Sequence, residues 1–255
     1  MNSTINKIID SLPNGRPLDI RIGAFWTAVT IEVNGQPRCG LASALRGFAD
    51  HHYGGGPAMP NAGRLLQSDA LQLAQMVNSN SLLEASVGVA SINALLPPHP
   101  ELWVDMNAEQ VIADHGTGKN VVIVGHFPFI PRIEKLAKKL WVLEKQPRGD
   151  DLPAEAATDI LPQADVIAIT GTTLINQTFE DLMQLCNPQA LVLTLGPSTP
   201  LTPLMFERGV HLLSGSVVED IDSVVRAVSQ GANFRQVHRQ GVRLVTMQAK
   251  NSSLL

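Results

Sequence analysis

The sequence predicts an α/β fold in which a small unit with an antiparallel sheet precedes a doubly wound, mostly parallel sheet. Short apolar runs alternate with segments of helical periodicity in the second half of the chain, as strand–helix–strand units require. In the first half, Asn34-Gly35 separates two β-rich runs, which predicts an antiparallel hairpin. Strands of the larger sheet are predicted at residues 121–125, 140–143, 165–170, 190–195, 210–213 and 242–247.

The N-terminal unit is predicted to span residues 1–98 and to begin with an amphipathic helix. The apolar residues between positions 5 and 12 share one face of that helix. Residues 51–63 contain four glycines and two prolines, which predicts a loop long enough to act as a lid or a binding loop. Further strands are predicted at 20–33 and 38–45, and helices at 64–78 and 81–95.

The C-terminal unit is predicted to span residues 99–255. Its start follows from the prolines between residues 97 and 100, which end the preceding helix. The strand at 121–125 has no polar residue before its glycine, as expected for a strand covered on both faces. Helices of this unit are predicted at 107–115, at about 131–140, and at 176–186, 201–208 and 218–230.

Charge and composition favour a small-molecule partner. The net charge is −4, with 19 Lys plus Arg and no basic run longer than two residues, which argues against binding to nucleic acid or a membrane surface. No apolar run is long enough to span a membrane, and the first residues do not resemble a signal peptide. Two cysteines, Cys39 and Cys186, suit a reducing compartment, so a cytoplasmic location is expected. The sequence does not determine the oligomeric state, and a homo-oligomer is possible.

Three strand-end loops carry the candidate binding residues. Parallel strands end at one edge of their sheet, and in open α/β sheets that edge is where ligands bind. The loops GHFP at 125–128, TGTTLIN at 170–176 and GPSTP at 196–200 should therefore form one rim rich in hydrogen-bond donors. The alternative is that these residues only cap helices and tighten turns. The candidates are Gly125, Phe127, Thr170, Thr172, Thr173, Asn176, Gly196, Ser198 and Thr199.

His126 and Glu84 are the candidates for proton transfer. His126 lies in the first of these loops, and imidazole is the side chain that changes its charge between pH 5 and 8. Glu84 lies on a helix rich in small residues, which could pack across the rim together with Asn93. The alternatives are a histidine that only binds backbone groups and a glutamate that only caps its helix.

Glu144 raises the question of a nucleoside cofactor. It lies at the end of the second predicted parallel strand, where nucleotide-binding sheets place the acid that holds a ribose hydroxyl. The first loop, however, has His126, Phe127 and Pro128 in place of the glycines that bring a pyrophosphate close. A nucleoside cofactor without a dinucleotide phosphate, as in methyltransferase-like folds, and a solvated surface glutamate both stay open.

No metal-ligand set is predicted within the chain. Cys39, His51 and His52 are the soft donors nearest to one another in sequence, and they match neither the CxxC nor the HExxH spacing of zinc sites. A GxSxG elbow and a phosphate-binding P-loop are also missing from the sequence. The possibility that a metal ion or a metal chelate binds as a cofactor or ligand stays open.

Four motifs in order resemble the family described as "Putative heavy-metal chelation", a domain of unknown function. They are EASVGVASINAL at 84–95, IVGHFP at 123–128, ITGTTLINQT at 169–178 and LGPSTPLTPLMFERG at 195–209. The resemblance covers nearly the whole chain. It implies an enolase N-terminal-like α+β domain followed by a Rossmann-like domain, with a cleft between them that the candidate residues line.

Two functions follow from the resemblance and the predicted rim. The first is an enzyme that carries out condensation or hydrolysis on a small pterin-, flavin- or siderophore-like metal-chelating metabolite, with His126 or Glu84 moving protons. The second is a protein that binds or delivers a metal or metal chelate without chemistry. Fold-level similarity supports a site here and not a particular reaction.

Overall fold

The computed structural model describes residues 3–45 and 59–249, and within them it forms two β-sheets. One is a three-stranded antiparallel sheet, and the other has eight strands, most of them parallel. The predicted α/β class is therefore confirmed. Most of the predicted 51–63 loop, with His51 and His52, lies outside the described residues.

The N-terminal unit begins with α1 (Thr4–Asp10) and the strands β1 (Arg16–Ile22), β2 (Trp26–Val33) and β3 (Gln36–Ser43). The single strand predicted at 20–33 is wrong, because the chain turns between β1 and β2. The backbone N–H of Gly23 donates to the carbonyl of Trp26 over 2.8 Å and closes this turn, and a Cβ at Gly23 would lie 2.2 Å from the carbonyl oxygen of Val228, so a side chain is excluded there. The Asn34-Gly35 turn between β2 and β3 is confirmed by the positive φ angles of both residues.

Two helices follow, α2 (Ala70–Gln75) and α3 (Leu82–Leu95). The single helix predicted at 64–78 is wrong, because Asp69 starts α2 with a capping box to Gln72, and 3-10 turns flank it. Helix α3 occurs as predicted, and its small residues allow close packing. A Cβ at Gly40 of β3 would lie 2.1 Å from the carbonyl oxygen of Ala90 in α3. The helix is therefore a buried central element rather than an outer cover.

The C-terminal unit alternates strands and helices as predicted, with differences in detail. Its strands are β4 (Trp103–Val104), β5 (Asn120–Val124), β6 (Lys139–Glu144), β7 (Leu152–Pro153), β8 (Val166–Thr170), β9 (Leu191–Leu195), β10 (Leu212–Val218) and β11 (Val242–Gln248). Its helices are α4 (Ala108–Gly116), α5 (Ile130–Glu134), α6 (Ala157–Ile160), α7 (Thr172–Ile175), α8 (Phe179–Leu185), α9 (Ile221–Ser229) and α10 (Phe234–Arg239).

Three predicted helices of this unit need correction. The helix at 131–140 ends at Glu134, because β6 already begins at Lys139. The helix predicted at 176–186 begins only at Phe179, as α8, because Gln177 has a φ of 59°, which is not helical. The segment at 201–208 is a 3-10 helix, Pro203–Arg208. The short elements β4, β7, α6, α7 and α10 were not predicted, since none is long enough to show a period.

The strand order is β4-β11-β10-β9-β8-β5-β6-β7. Neighbouring strands in the series β10-β9-β8-β5-β6-β7 run parallel, whereas β11 pairs antiparallel with β10. From β5 the chain moves to β6 on one side and then returns to β8 on the other. The topological switch point of the sheet therefore lies between β5 and β8, where ligands bind in open α/β sheets.

Both faces of the large sheet are buried. Val121 and Ile123 pack on one face with residues of α4 and α5, whereas Val122 belongs to a cluster on the other face that continues into the N-terminal unit and α3. Helix α9 packs through Val224 and Val228 against the opposite face of the small sheet. The two units thus share a continuous hydrophobic core, which fixes the N-terminal unit beside the carboxyl edge of the large sheet.

Candidate functional site

The three loops predicted to form a rim do meet. A Cβ at Gly125, directly after β5, would lie 3.0 Å from the Cβ of Thr170 at the end of β8. A Cβ at Gly171 would lie 2.6 Å from the backbone nitrogen of Thr199 in the loop after β9. Gly125 has a φ of 102°, a conformation that favours glycine and turns the chain away from its strand.

A cavity of about 1570 Å³ opens over this rim. The N-terminal unit contributes Trp26, Ser43, Leu45 and Leu82 to its wall, so both units line it. The two units also touch at this wall, because the backbone N–H of Ser43 donates to Oγ of Ser198 over 2.9 Å. The predicted site residues in the lining are Gly125, His126, Phe127, Glu144, Thr170, Thr172, Thr173, Asn176, Gly196 and Ser198.

His126 is paired with an acid. Its Nδ1 lies 3.2 Å from Oδ2 of Asp151, which also accepts the backbone N–H of Arg148. The Asp151 side chain is only 6% exposed, whereas that of His126 is 48% exposed. A carboxylate at Nδ1 favours the tautomer with the proton on that nitrogen, and Nε2 is then the basic atom. The pair can therefore accept a proton from a bound molecule.

Basic side chains stand at the same end of the cavity. Lys145 and Arg148 follow β6, line the cavity and are exposed, and neither side chain forms an ion pair within residues 3–45 and 59–249. Glu144 ends β6, and its carboxylate accepts the backbone N–H of Lys145 over 3.1 Å. This end of the cavity thus offers two unpaired cations to an anionic ligand.

Two phenylalanines add an aromatic surface next to His126. The rings of Phe127 and Phe129 are stacked, with centroids 5.2 Å apart and planes at 14°, and both residues line the cavity. Stacked rings present flat apolar faces on which a heteroaromatic ring can pack.

The threonines after β8 bond largely to one another. Thr170 and Thr172 share a hydroxyl–hydroxyl bond of 3.1 Å, and the hydroxyl of Thr173 donates to the carbonyl of Thr170. Asn176 accepts bonds from both the hydroxyl and the backbone N–H of Thr178. These contacts shape the loop, as the turn-tightening alternative expects, and Thr170, Thr172 and Asn176 are still partly exposed to the cavity.

Three predicted residues lie outside the cavity lining. The carboxylate of Glu84 accepts a hydrogen bond from the hydroxyl of Ser79, so this side chain holds the chain at the start of α3. The side-chain amide of Asn93 donates to the carbonyls of Leu41 and Pro197 and so ties the two units together. Thr199 is buried. Their roles in binding or catalysis remain predictions that this geometry does not support.

Direct metal ligation by Cys39 is disfavoured. Cys39 is buried on β3, and burial raises the pKa of its thiol to about 12, while metals bind the thiolate. In the part of the chain that the structure describes, no group of three or more His, Cys, Asp and Glu is placed to hold a metal ion. The same part contains no helix long and apolar enough to cross a membrane.

Several cavity residues were missed in the sequence. Asp151 lies 25 residues beyond His126, in a segment without a strand pattern, so nothing marked it as the partner of the histidine. Trp26 was assigned to the interior of one long strand. The signal that could have found Asp151 is the dense polar stretch after β6, which must cross the carboxyl edge of the sheet to reach the next strand.

Comparison with known proteins gives the family. The model of the DUF364 family, described as "Putative heavy-metal chelation", matches residues 107–247. The DUF4213 model, with the same description, matches residues 5–96. The chain belongs to this family. The resemblance drawn from the four sequence motifs is thereby confirmed.

Two solved structures and one curated protein are similar to this chain over most of its length. A DUF364 protein of unknown function from Desulfitobacterium hafniense has a TM-score of 0.77 and 27% identity, with 96% of each chain covered. Another from Pyrococcus horikoshii has a TM-score of 0.79 at 18% identity, covering 96% of this chain and 98% of its own, and shares the fold. An uncharacterized protein of Methanocaldococcus jannaschii is 23% identical over 228 residues, which are 87% of this chain and 86% of that protein.

Proposed function

We propose that this protein is an enzyme that acts on a small, anionic, heteroaromatic metal-chelating metabolite in the cavity between its two units. The observation that carries the proposal is the His126–Asp151 pair at the switch point of the sheet. An imidazole oriented by a carboxylate and exposed to a cavity is the arrangement of a general base. Proton transfer through Nε2 would serve condensation or hydrolysis of a pterin-, flavin- or siderophore-like molecule.

The ligand class follows from the neighbours of His126. Phe127 and Phe129 offer a stacking surface, and Lys145 and Arg148 offer cations that other side chains do not neutralise. A planar ring system with an acidic group matches both. Such molecules also chelate metals through ring oxygen and nitrogen atoms, which links the proposal to the description of the family.

The test is turnover by paired variants. The purified protein is incubated with pterins, flavins and catecholate siderophore precursors, each with and without Fe³⁺ or Zn²⁺, and products are quantified by mass spectrometry. His126→Ala should lower turnover by about 100-fold or more, the usual loss for a general base. The matched control is His99→Ala, because His99 pairs with Glu101 at the same 3.2 Å outside the cavity. Equal turnover in wild type and His126→Ala would refute the catalytic assignment.

Binding or delivery of a metal chelate without chemistry is the second candidate. The observation that favours it is the pair of exposed cations Lys145 and Arg148, which could hold an anionic chelate in the cavity without any chemistry. This candidate expects saturable binding of a metal chelate, no conversion of it, and affinity that His126→Ala leaves unchanged.

A further inference from the structure

The cavity has a second end that differs in chemistry from the His126 end. It is lined by Trp26 of β2, Phe234 of α10 and Leu244 and Val245 of β11, with Met106 beside them. The rings of Trp26 and Phe234 lie 5.8 Å apart with planes at 55°. None of these five side chains is charged, although Asp105 and Asn107 line the cavity on either side of Met106, whereas the His126 end carries Lys145 and Arg148.

The sheet geometry separates the two ends. From β5, which precedes His126, the order β5-β8-β9-β10-β11 crosses four intervals, or about 19 Å at the usual strand spacing. Strands β10 and β11 also continue past the last paired residue of β9, and Leu244 and Val245 lie in this projecting part, opposite Ser216 and Gly215. The projecting ribbon therefore forms the end wall of the cavity.

The hydrogen-bonding atoms of Trp26 and Thr246 are not directed at a ligand here. Nε1 of Trp26 is buried and has no hydrogen-bond partner among the described residues, so Trp26 presents ring carbons to the cavity. The hydroxyl of Thr246 donates to the carbonyl of Met106 and is bonded to Ser214. These five side chains offer a ligand apolar surface, including a leucine that is 51% exposed. Half-exposed aromatic and aliphatic side chains that converge on a concave surface are typical of ligand pockets.

We propose that the Trp26–Phe234–Leu244 end is a separate subsite for an uncharged aromatic group. Two rings inclined to each other leave room for a third to pack edge-to-face or offset against them. Because of the distance to His126, this group is distinct from the one that reaches the histidine. The inference rests on the proposed function only in that both use one continuous cavity.

The probe for the test is N-phenyl-1-naphthylamine, a neutral aromatic dye whose fluorescence increases in apolar surroundings. A neutral dye has no charge to draw it to Lys145 and Arg148. The matched pair of variants is Leu244→Ser and Leu66→Ser, because the two leucines are 51% and 52% exposed and only Leu244 lines the cavity. Phe234→Ala is a second variant, and circular dichroism checks that each protein is folded.

We expect saturable binding of one dye molecule. Leu244→Ser and Phe234→Ala should each weaken it by about tenfold, the effect of losing one buried apolar contact, while Leu66→Ser leaves it unchanged. Wild-type affinity in folded Leu244→Ser, an equal loss in Leu66→Ser, or no binding at all would overturn the subsite. Displacement by dodecanoate at lower concentration than by 2-naphthol would overturn its aromatic character. His126→Ala should bind the dye with wild-type affinity. The subsite can therefore be confirmed even if the proposed catalysis is refuted, and the catalysis can be confirmed even if the subsite is refuted.

Discussion

Nδ1 of His126 and Oδ2 of Asp151 are 3.2 Å apart, although 25 residues separate them in the chain. The histidine is placed by the end of β5, and the aspartate by the segment that leads into β7. Asp151 is held in turn by the backbone N–H of Arg148. Strands β5 and β7, which lie on either side of β6, thus bring together a pair that sets which nitrogen of the imidazole faces the cavity as a base.

The tautomer of His126 should depend on Asp151. In the wild type at pH 8.5, ¹⁵N chemical shifts from a long-range ¹H–¹⁵N correlation should show the proton on Nδ1, because the carboxylate accepts it. In Asp151→Ala the proton should move mainly to Nε2, the usual tautomer of an unpartnered imidazole. Asp150→Ala, the exposed neighbour, is the control and should match the wild type. The same tautomer in all three proteins would contradict the orienting role of Asp151.

Glu180 should link stability to acidity. Burial raises the pKa of its carboxyl group, but hydrogen bonds from Thr4 and the nearby charge of Arg208 outweigh this, so the pKa lies below its ordinary value. A lowered folded-state pKa gives stability that is complete above the ordinary glutamate pKa and is lost as pH falls through the folded value. Glu180→Gln should therefore cost about 1 kcal/mol in urea unfolding at pH 7, after allowance for solvent screening.

The difference between wild type and Glu180→Gln should shrink as pH falls from about 4.5, the ordinary value, toward the lowered one. Glu207→Gln is the control, because its ion pair with Lys7 is 3.5 Å long and both side chains are more than half exposed. A difference that is the same at pH 3 and pH 7 would argue against the pairing.

Gly171 should be intolerant of a methyl group. Its φ of −60° suits any residue, so an alanine there has no backbone strain of its own. The added Cβ would nevertheless lie 2.6 Å from the nitrogen of Thr199 and 2.7 Å from the carbonyl carbon of Ser198. Gly171→Ala should thus separate the loops after β8 and β9 and lower the free energy of unfolding by about 2 kcal/mol.

Gly118→Ala provides the comparison, because Gly118 has a φ of 70° but open space around it. It should cost about 1 kcal/mol from backbone conformation alone, without affecting ligand binding in the cavity. If Gly171→Ala were as stable as the wild type, the two loops could not be as close as the structure has them.

Both cysteines should be unreactive in the folded protein. Burial raises the thiol pKa of Cys39 to about 12 and that of Cys186 to about 11. At pH 8 the thiolate, which is the reactive form, is then scarce, so Ellman's reagent should react with neither thiol until the protein is unfolded in guanidinium chloride. Rapid release of one equivalent of chromophore from the native protein would contradict this, and the same release from native Cys186→Ser would restore Cys39 as a candidate metal ligand.

The rim of loops was predictable, because a run such as Val121–Val124 that stops at Gly125 indicates where a buried strand ends. Which residues helix α3 presents to the cavity could not be predicted from the sequence. Its small residues predicted close approach of another backbone, which is found at Gly40, but not that Glu84 would be held by Ser79 outside the cavity. Small residues pack equally well on a sheet or over a cavity, and the sequence does not distinguish the two.

The sequence by itself determined the order of the elements, the buried strands of the large sheet and the family, since apolar periodicity and local turn chemistry are encoded in neighbouring residues. Only the tertiary structure decided that Asp151 meets His126, that Trp26 and Phe234 share a cavity wall, and that the two units have one core. These contacts join residues far apart in the chain, and they depend on strand order and helix packing, which no local pattern specifies.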